Sequence, residues 1–490
     1  MKHLGLTKLP KVPPLLILVV LAVIVRVLLW GWFMTLPPTT EKGGKESSPI
    51  ANVLETSSKS PLRIWDEREY DNLATNLCEY GEFSYKIGEP ASLRPPLYPF
   101  FLSFVYQILG LKSYQAARAL QAVLSLVTIF LVYDLGTRVY DRETGSRAAV
   151  FYAFYPSLLI DNNLILTEVL FTFFLTAAVW SLVRGFQASS VVWVLGSGVL
   201  FGLGALTRSV LWVFIPVLSV YVLVFWNGNW KGRLLASGSL FLAAVLTIAP
   251  WAVRNTRLEK TFLAIDSMGG RNLMMGNYEY TPPHRSWDAI SIGGESSWDA
   301  VLGRAVPASL SATQGQKDKI AMGYALKFVL SHPVLTAQRD VVKFFDFWGL
   351  EREQVAGASR GYFGPIPRWV VFVLATVIVG SYVAGLFLGI FGALVTPPSD
   401  RRAFGLMLLV IAFICAMHTL TFGHSRYHLP LMPLILTFGA AAAVNGRAAL
   451  SSLRRWPFWM ATGLCGMFVL AWAWDLYVVE SGKLSELLSS

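Results

Sequence analysis

Apolar runs recur along most of the chain and are separated by short polar linkers. A run of about 18 or more apolar residues can cross the hydrocarbon core of a membrane as an α-helix. The runs that predict membrane helices are Leu15–Met34, Ala119–Val139, Ala148–Ile160, Leu164–Val183, Val191–Leu206, Val210–Trp226, Leu234–Trp251, Trp369–Leu394, Phe404–Phe422, Leu429–Val444 and Phe458–Trp474. The weakest is Ala148–Ile160, which is short and contains Pro156. The pattern predicts an all-α polytopic membrane protein with about 11 transmembrane helices.

Two long polar stretches interrupt this pattern. The first covers residues 37–95 and lies within an N-terminal membrane module, residues 1–252. The second covers residues 253–367, and C-terminal transmembrane helices follow at 368–490. We expect amphipathic helices in the first stretch and a small extracytoplasmic domain, α-helical or mixed α/β, in the second.

The composition supports the membrane prediction. Hydrophobic residues make up 54% of the chain and charged residues only 14%, whereas soluble domains carry roughly a quarter charged residues. Three cysteines are too few for a disulfide framework. The net charge of +11 could indicate a nucleic-acid partner, but its distribution favours membrane lipids instead.

Lysine and arginine accumulate in short cytoplasmic loops. The basic linkers are the N terminus, Arg138–Arg147, Arg184, Lys231 with Arg233, Arg401 with Arg402, and Arg447–Arg455. The alternate linkers hold one arginine or none. One orientation satisfies both sets if the short run Pro96–Leu111 re-enters or lies at the interface. The N terminus is then cytoplasmic, and both polar stretches lie outside the plasma (inner) membrane.

Charged residues at the outer surface are the candidate site residues, because ionisable groups at membrane depth are costly and usually functional. The first polar stretch contains Asp66, Glu67, Glu69 and Tyr70 in close succession. In a helix, Asp66, Glu69 and Tyr70 share one face, and neighbouring carboxylates can position a general base. Asp66 and Glu67 are therefore candidate catalytic residues. The alternative is a helix start, with acids in the first turn to suit the helix dipole.

Further charges interrupt apolar sequence on the same predicted side. Arg94 precedes a Pro-Pro pair, and arginine can bind phosphate bidentately. Glu168 lies about one turn inside an apolar run, where a carboxylate needs a partner or a water-filled cavity. Arg208, Arg254 and Arg426 lie at other run boundaries. Each alone has a simpler explanation, as an interfacial anchor or a helix cap. Several arginines beside acids indicate a site for an anionic ligand at headgroup depth.

Three other polar residues, Arg26, His424 and His428, are predicted to be structural and not part of the site. Arg26 lies within the first apolar run and is expected to extend its guanidinium towards the interface. His424 and His428 are four residues apart and could bind a metal, but Pro430 and a loop setting favour headgroup contacts. We therefore expect no metal and no cofactor.

At these residues the sequence resembles the C-type glycosyltransferases, in particular the family 39 branch of protein O-mannosyltransferases and lipid A aminoarabinose transferases. The motifs that carry the resemblance are Asp66-Glu67-x-x-Tyr70, Arg94-Pro95, Glu168, Thr207-Arg208, Pro250-Trp251-x-x-Arg254-Asn255, and Arg426-Tyr427 followed by Pro433. Each motif is short, but together they follow one order along nearly the whole chain.

The resemblance implies a reaction and its participants. Asp66 would deprotonate an acceptor hydroxyl for attack on a sugar's anomeric carbon, with inversion, while polyprenyl phosphate leaves. Arg94 and Arg208 would hold that phosphate, and Glu168 matches a second acid near the cavity. The implied partners are a polyprenyl-phosphate-linked sugar donor and an acceptor protein, lipid or glycan.

Two other functions fit the same charges. A transporter or flippase of a lipid-linked or anionic solute would bind with the same arginines, although it would show repeated halves that this sequence lacks. A polysaccharide polymerase or ligase would use a pyrophosphate-linked donor instead of a monophosphate.

Overall fold

The apolar runs of the sequence form long α-helices. A computed structural model describes residues 14–36, 62, 64–359, 363, 366–446 and 455–479. The basic N-terminal residues, residues 37–61 of the first polar stretch and most of the Arg447–Arg455 linker lie outside the described residues.

The described residues form 19 α-helices and one small sheet, labelled here in chain order. The first part of the chain contains α1 (Pro14–Thr35), α2 (Trp65–Tyr80), β1 (Ser84–Lys86), β2 (Glu89–Pro90), α3 (Leu97–Leu109), α4 (Tyr114–Val139), α5 (Arg142–Ala153), α6 (Pro156–Asp161), α7 (Glu168–Ala188), α8 (Val191–Thr207), α9 (Val210–Phe225) and α10 (Trp230–Glu259).

The second part contains α11 (Gly269–Gly276), α12 (Trp298–Ala305), α13 (Gln314–Ser331), α14 (Pro333–Phe347), α15 (Glu353–Ser359), α16 (Arg368–Val395), α17 (Arg401–Leu420), α18 (Met432–Val444) and α19 (Trp456–Trp474). Short 3₁₀ helices lie at Ser286–Ser291, Gly294–Ser296 and Ser425–Leu431.

Within the part of the chain that the structure describes, eight helices are long and apolar enough to cross a membrane. They are α1, α4, α7, α10, α16, α17, α18 with the 3₁₀ turn before it, and α19. α8 and α9 are apolar but shorter, with 17 and 16 residues. The run containing Pro156 folds as two pieces, α5 and α6, because a proline cannot continue the hydrogen-bond ladder of the preceding helix. The fold is that of an all-α, multi-pass integral membrane protein, as predicted.

The segments between the membrane helices are also mainly helical. α3 has 13 residues, which corresponds to about 20 Å and is shorter than the hydrocarbon core of about 30 Å. β1 and β2 form an antiparallel pair beside α2. Over 253–367, the described residues contain helices and no strand, so the domain expected there is α-helical. α13 and α14 meet at a bend of 108° before Pro333.

Arg26 corrects one sequence expectation. Its side chain is 4% exposed and does not reach the interface. Instead Nη2 donates to Ser125 Oγ at 2.9 Å and Nη1 donates to the Ala153 carbonyl at 3.1 Å. Arg26 therefore ties α1 to α4 and α5, because hydrogen bonds inside the bundle replace the water that a snorkelling arginine would reach.

Polar groups collect at two opposite ends of the bundle. At one end, the amides of Ser399 and Asp400 donate to the Val139 carbonyl, which joins two of the predicted basic linkers. At the other end, the predicted site residues Glu168 and Arg208 form an ion pair. This arrangement agrees with the predicted alternation of linkers between the two membrane faces.

Close contact between α16 and α18 depends on glycine. A Cβ atom at Gly392 would lie 1.8 Å from the Phe438 carbonyl oxygen, and one at Gly389 would lie 2.6 Å from Ile435 Cγ2. Small residues let membrane helices approach closely enough for backbone contact. These glycines therefore determine how near α18 lies to α16.

We expect Gly392→Ala to destabilise the protein by about 1–3 kcal/mol, because the methyl group forces the two helices apart. Thermal unfolding of the full chain in detergent measures the effect. Gly380→Ala, in the same helix with no atom within 4 Å of the added Cβ, is the control and should be neutral or slightly stabilising. Equal melting temperatures for the two variants would contradict the packing argument.

Candidate active site

A chain of ion pairs connects five charged side chains at one end of the bundle. Arg94 Nη2 lies 3.0 Å from Asp66 Oδ1, and Arg426 Nη1 lies 2.9 Å from Asp66 Oδ2. Arg426 also binds Glu168 through Nε, and Arg208 Nη2 lies 2.6 Å from Glu168 Oε1. Positive and negative groups alternate along this chain, and we call the five residues the charge cluster.

Helix ends bring these residues together. Asp66 lies in the first turn of α2, Glu168 is the first residue of α7, and Arg208 follows the last residue of α8. Arg426 lies in the 3₁₀ turn before α18, 360 positions from Asp66. Membrane helices begin and end at the surfaces of the apolar core, so charged residues at those boundaries meet at one level.

Burial varies across the charge cluster. The Glu168 side chain is 1% exposed, and the side chains of Arg426 and Arg208 are 14% and 15% exposed. The side chains of Asp66 and Arg94 are 26% and 27% exposed. Glu168 therefore forms the closed inner end of the cluster, and Asp66 and Arg94 form the end that a ligand can reach.

Arg94 is held by a second acid and an aromatic ring. Its Nε donates to Glu69 Oε2 at 2.7 Å, and its guanidinium lies 5.6 Å from the Tyr70 ring centre. Trp65 Nε1 donates to the other oxygen of Glu69 at 2.6 Å. Burial opposes the charge of Arg94, but Glu69, Tyr70 and Asp66 outweigh it and raise the pKa of Arg94. The prediction that Asp66, Glu69 and Tyr70 share a helix face is confirmed.

Aromatic rings pack around Arg208. Its guanidinium lies 5.5 Å from the Phe171 ring centre and 5.7 Å from that of Tyr427. The Tyr427 ring stacks on His418 at 4.2 Å between ring centres. Such cation–π contacts stabilise a partly desolvated guanidinium. Tyr427 thus contacts the charge cluster through its ring face.

Two predicted site residues have partners outside the charge cluster. Glu67 is fully buried and accepts hydrogen bonds from the backbone amides of Ile165 at 2.7 Å and Ile64 at 2.9 Å. Arg254 donates to the backbone carbonyl of Ala91 at 2.7 Å and lies over the Trp251 ring at 4.4 Å. These contacts hold the first polar stretch against α7 and α10.

The expectation of headgroup contacts is wrong for His428. His428 is fully buried, with Nδ1 2.6 Å from the Phe347 carbonyl oxygen and Nε2 3.0 Å from Glu351 Oε1. His424 Nδ1 accepts the amide of Arg426 and caps the 3₁₀ turn. Across the described residues, no group of three or more His, Cys, Asp or Glu side chains is arranged to hold a metal ion.

A narrow cavity lies beside Arg426 and was not predicted from the sequence. Its lining combines Arg426 and Asp161 with the apolar side chains of Leu164, Leu166 and Phe363. Asp161 directly follows the predicted membrane run Ala148–Ile160, and this position is the sequence feature that could have indicated the cavity. The cavity brings charged and apolar surfaces together at the buried end of the charge cluster.

Asp266 is a second acid that sequence reasoning missed. Burial raises the pKa of Asp266 to about 6, and the charge of Asp318 also raises it. A hydrogen bond from Ser209, the Met268 amide and the charge of Arg94 act in the opposite direction. Asp266 is therefore close enough to Arg94 to interact with the charge cluster, and it lies next to Ser209, the residue after Arg208.

Comparisons with known proteins agree with the sequence resemblance. A family model described as dolichyl-phosphate-mannose-protein mannosyltransferase matches residues 93–253. An undecaprenyl phosphate-alpha-4-amino-4-deoxy-L-arabinose arabinosyl transferase of Pseudomonas aeruginosa is 29% identical over 143 residues, which are 28% of this chain and 26% of that protein. The corresponding transferase 1 of Proteus mirabilis is 24% identical over 199 residues, covering 39% of this chain and 36% of that protein.

Solved structures give weaker similarities. The apo oligosaccharyltransferase of Archaeoglobus fulgidus has a TM-score of 0.48 and 14% identity, covering 94% of this chain and 55% of that one. ArnT of Cupriavidus metallidurans in the apo state has a TM-score of 0.37 and 15% identity, covering 88% and 77%.

The match to the mannosyltransferase family model and to the two aminoarabinose transferases confirms the predicted resemblance to C-type glycosyltransferases of the family 39 branch. The matched segment, residues 93–253, contains Arg94, Glu168 and Arg208. The chain spans about a quarter to a third of the length of the curated relatives it matches.

We expect Asp266→Asn to change how stability depends on pH. The pKa of the Asp266 carboxyl is 3.8 without burial and about 6 in the folded protein. The unfolded chain therefore loses this proton first, and wild type loses stability relative to the variant as pH rises from about 4 to 6. Above pH 6 the difference stays constant.

Melting temperatures of both proteins in detergent, measured from pH 4 to 8, check this expectation. Asp299→Asn, which removes an exposed acid from the same polar stretch, is the control. A wild-type minus Asp266→Asn difference that does not vary with pH would show that the carboxyl is not perturbed by burial.

Proposed function

We propose that this protein is a membrane glycosyltransferase that moves a sugar from a polyprenyl-phosphate carrier to an acceptor hydroxyl, with inversion at the anomeric carbon. The observation that supports the proposal best is the placement of Asp66 between Arg94 and Arg426. A partly exposed carboxylate and several guanidinium groups then share one site at the end of the membrane helices.

Asp66 is the general base in this proposal. Its two oxygens are bound by two different arginines. A phosphate that enters the site competes for the same guanidinium groups, since arginine binds phosphate bidentately. Binding of the donor therefore frees an Asp66 oxygen to accept the proton of the acceptor hydroxyl. The hydroxyl oxygen attacks the anomeric carbon, and the bond from that carbon to the phosphate oxygen breaks.

The arginines stabilise the leaving phosphate. As the sugar departs, negative charge develops on the phosphate oxygen, and cations already in place stabilise that charge without reorganising. Glu168 holds Arg208 and Arg426 in this arrangement from the buried side.

Glu67 and Arg254 are positioning residues in this proposal. Glu67 binds the amide of Ile165 and so fixes the first turn of α2 close to the start of α7. Arg254 binds the Ala91 carbonyl, three residues before Arg94. Both hold the backbone that carries Asp66 and Arg94, and neither contacts the reacting groups.

The relatives narrow the substrates to test first. Their names specify undecaprenyl phosphate-linked 4-amino-4-deoxy-L-arabinose and dolichyl-phosphate-linked mannose as donors. The acceptor is a protein, lipid or glycan hydroxyl. The distribution of basic linkers supports an N terminus in the cytoplasm and a charge cluster on the outer face of the plasma membrane.

Asp66→Asn should lower the turnover rate by a factor of about 100 to 10,000, the usual contribution of a general base. The full chain is incubated with a panel of undecaprenyl-phosphate sugars and candidate acceptors, and release of free undecaprenyl phosphate is measured. Binding of undecaprenyl phosphate itself should persist in the variant.

Asp71→Asn is the matched control for this measurement. Asp71 lies in the same helix but accepts hydrogen bonds from Tyr106 at 2.8 Å and Tyr114 at 2.9 Å. It should retain transfer. Wild-type turnover in Asp66→Asn would remove the proposed base, and carriers that cross the bilayer with the sugar still attached would support a transporter.

Arg208→Ala should weaken binding of undecaprenyl phosphate about 10-fold or more, because it removes a charge-assisted hydrogen-bond donor. Arg254→Ala should lower the melting temperature and leave carrier affinity nearly unchanged. Titration of the carrier at fixed acceptor, and of acceptor at fixed carrier, separates the two effects.

The same titration with undecaprenyl diphosphate tests the polymerase or ligase alternative. A preference for the diphosphate that depends on Arg208 would favour a pyrophosphate-linked donor. Equal carrier affinity in wild type and Arg208→Ala would contradict a role for this arginine at the phosphate.

A further inference from the structure

A polar cavity opens at the end of the bundle opposite the charge cluster. It lies where α4 and α7 end and α17 begins, and its volume is about 460 Å³. The lining residues are Arg138, Gln187, Ser399, Asp400, Arg401 and Arg402. We call this cavity the basal pocket. Sites for small molecules measure roughly 300–1,000 Å³, so the basal pocket has room for a small ligand.

Hydrogen bonds between distant segments hold the basal pocket together. The amide of Ser399 donates to the Val139 carbonyl at 2.9 Å. Gln187 Nε2 donates to Asp400 Oδ2 at 3.0 Å, and Arg138 Nη1 donates to Gln187 Oε1 at 2.9 Å. The three walls of the pocket are therefore linked to one another before any ligand binds.

Arg402 has binding capacity that the protein does not use. Its guanidinium lies 5.8 Å from the Phe186 ring centre, and its backbone carbonyl accepts the Tyr221 hydroxyl at 2.7 Å. The Nη1 atom is buried and has no hydrogen-bond partner within the described residues. A buried donor of a charged group without an acceptor is costly. Because this atom is closed to solvent, an acceptor supplied by a ligand would satisfy it after the Arg402 side chain turns into the pocket.

The acids near the basal pocket are already engaged. Asp400 Oδ1 accepts the amides of Arg402 at 3.0 Å and Ala403 at 3.1 Å, so it caps α17. Asp134 binds Arg138 at 2.6 Å. Among the residues that the structure describes, no carboxylate pairs with Arg401 or Arg402. Three arginines and one aspartate give the lining a formal charge of +2.

We propose that the basal pocket binds a phosphate group, held by the guanidinium groups of Arg401 and Arg402. Phosphate matches the planar, forked donors of arginine. The helix amides of α17 are occupied by Asp400, so the side chains must supply the contacts. This site is independent of the proposed transfer reaction, and by the distribution of basic linkers it faces the cytoplasm.

Two sources could provide this phosphate group, and one experiment separates them. The full chain, purified in neutral detergent, is titrated with inorganic phosphate against sodium chloride at matched ionic strength, with the melting temperature as readout. In parallel, it is reconstituted in nanodiscs containing phosphatidylglycerol and phosphatidylcholine, and the lipids that stay bound are counted by native mass spectrometry. Arg402→Gln and Arg401→Gln are compared with wild type.

Arg142→Gln is the matched control, because Arg142 also follows an N-cap aspartate, Asp141, but lies outside the basal pocket. We expect one probe to bind saturably and to bind about 10-fold more weakly in both pocket variants, with no change in the control. Loss of the phosphate response identifies a soluble ligand, and loss of retained phosphatidylglycerol identifies a lipid headgroup. Equal binding in the pocket variants and the control, or no saturable binding of either probe, would overturn the proposal.

Discussion

The end of the bundle that holds the charge cluster depends on alternating charge in a partly desolvated site. A guanidinium removed from water is stabilised only when carboxylates and hydrogen bonds replace its hydration. Arg426 satisfies this condition by binding Asp66 and Glu168 together, and so it connects α2 to α7 and to the turn before α18. Arg94 and Arg208 extend the same arrangement at either end. Loss of Glu168 would leave Arg208 without its carboxylate partner, whereas Asp66 and Arg426 each have two partners of opposite charge in the cluster.

The pairing of each guanidinium with a carboxylate also explains how the site could bind an anion although it offers no unpaired arginine. Every guanidinium of the charge cluster already has a carboxylate partner, so an incoming phosphate must exchange with one of them. The exchange is easiest at Asp66 and Arg94, whose side chains are the more exposed, and hardest at Glu168, which is buried. A phosphate that displaces Asp66 creates the carboxylate that the proposed reaction requires. Binding of the donor and activation of the base are then one event.

The sequence predicted those site residues that form ion pairs with other charged side chains. Arg208 and Glu168 were recognisable because each interrupts apolar sequence on the same predicted face. The positions of Glu67 and Arg254 outside the charge cluster could not be predicted. Glu67 binds the Ile165 amide and Arg254 binds the Ala91 carbonyl, and the sequence does not show which backbone groups a side chain will meet. Arg26 was misplaced for the same reason, because a serine hydroxyl and a backbone carbonyl accept its hydrogen bonds. Helices were predictable from run length. The bend before Pro333 falls where a proline interrupts the helix hydrogen bonds, but its angle of 108° depends on tertiary packing.

The two ends of the bundle use arginine in opposite ways. In the charge cluster each arginine is paired with a carboxylate, and Glu69 also pairs with Arg94. Three arginines and three acids then balance, so the site is selective for a ligand that can displace an acid. In the basal pocket Asp400 accepts hydrogen bonds from the first amides of α17 and from Gln187, and among the described residues no carboxylate pairs with Arg401 or Arg402. Those arginines keep an uncompensated field, and such a field attracts anions without any exchange of partners. A site in which the ligand must displace an acid suits a reaction that breaks a bond. A pocket whose positive charge is not compensated suits binding without a reaction.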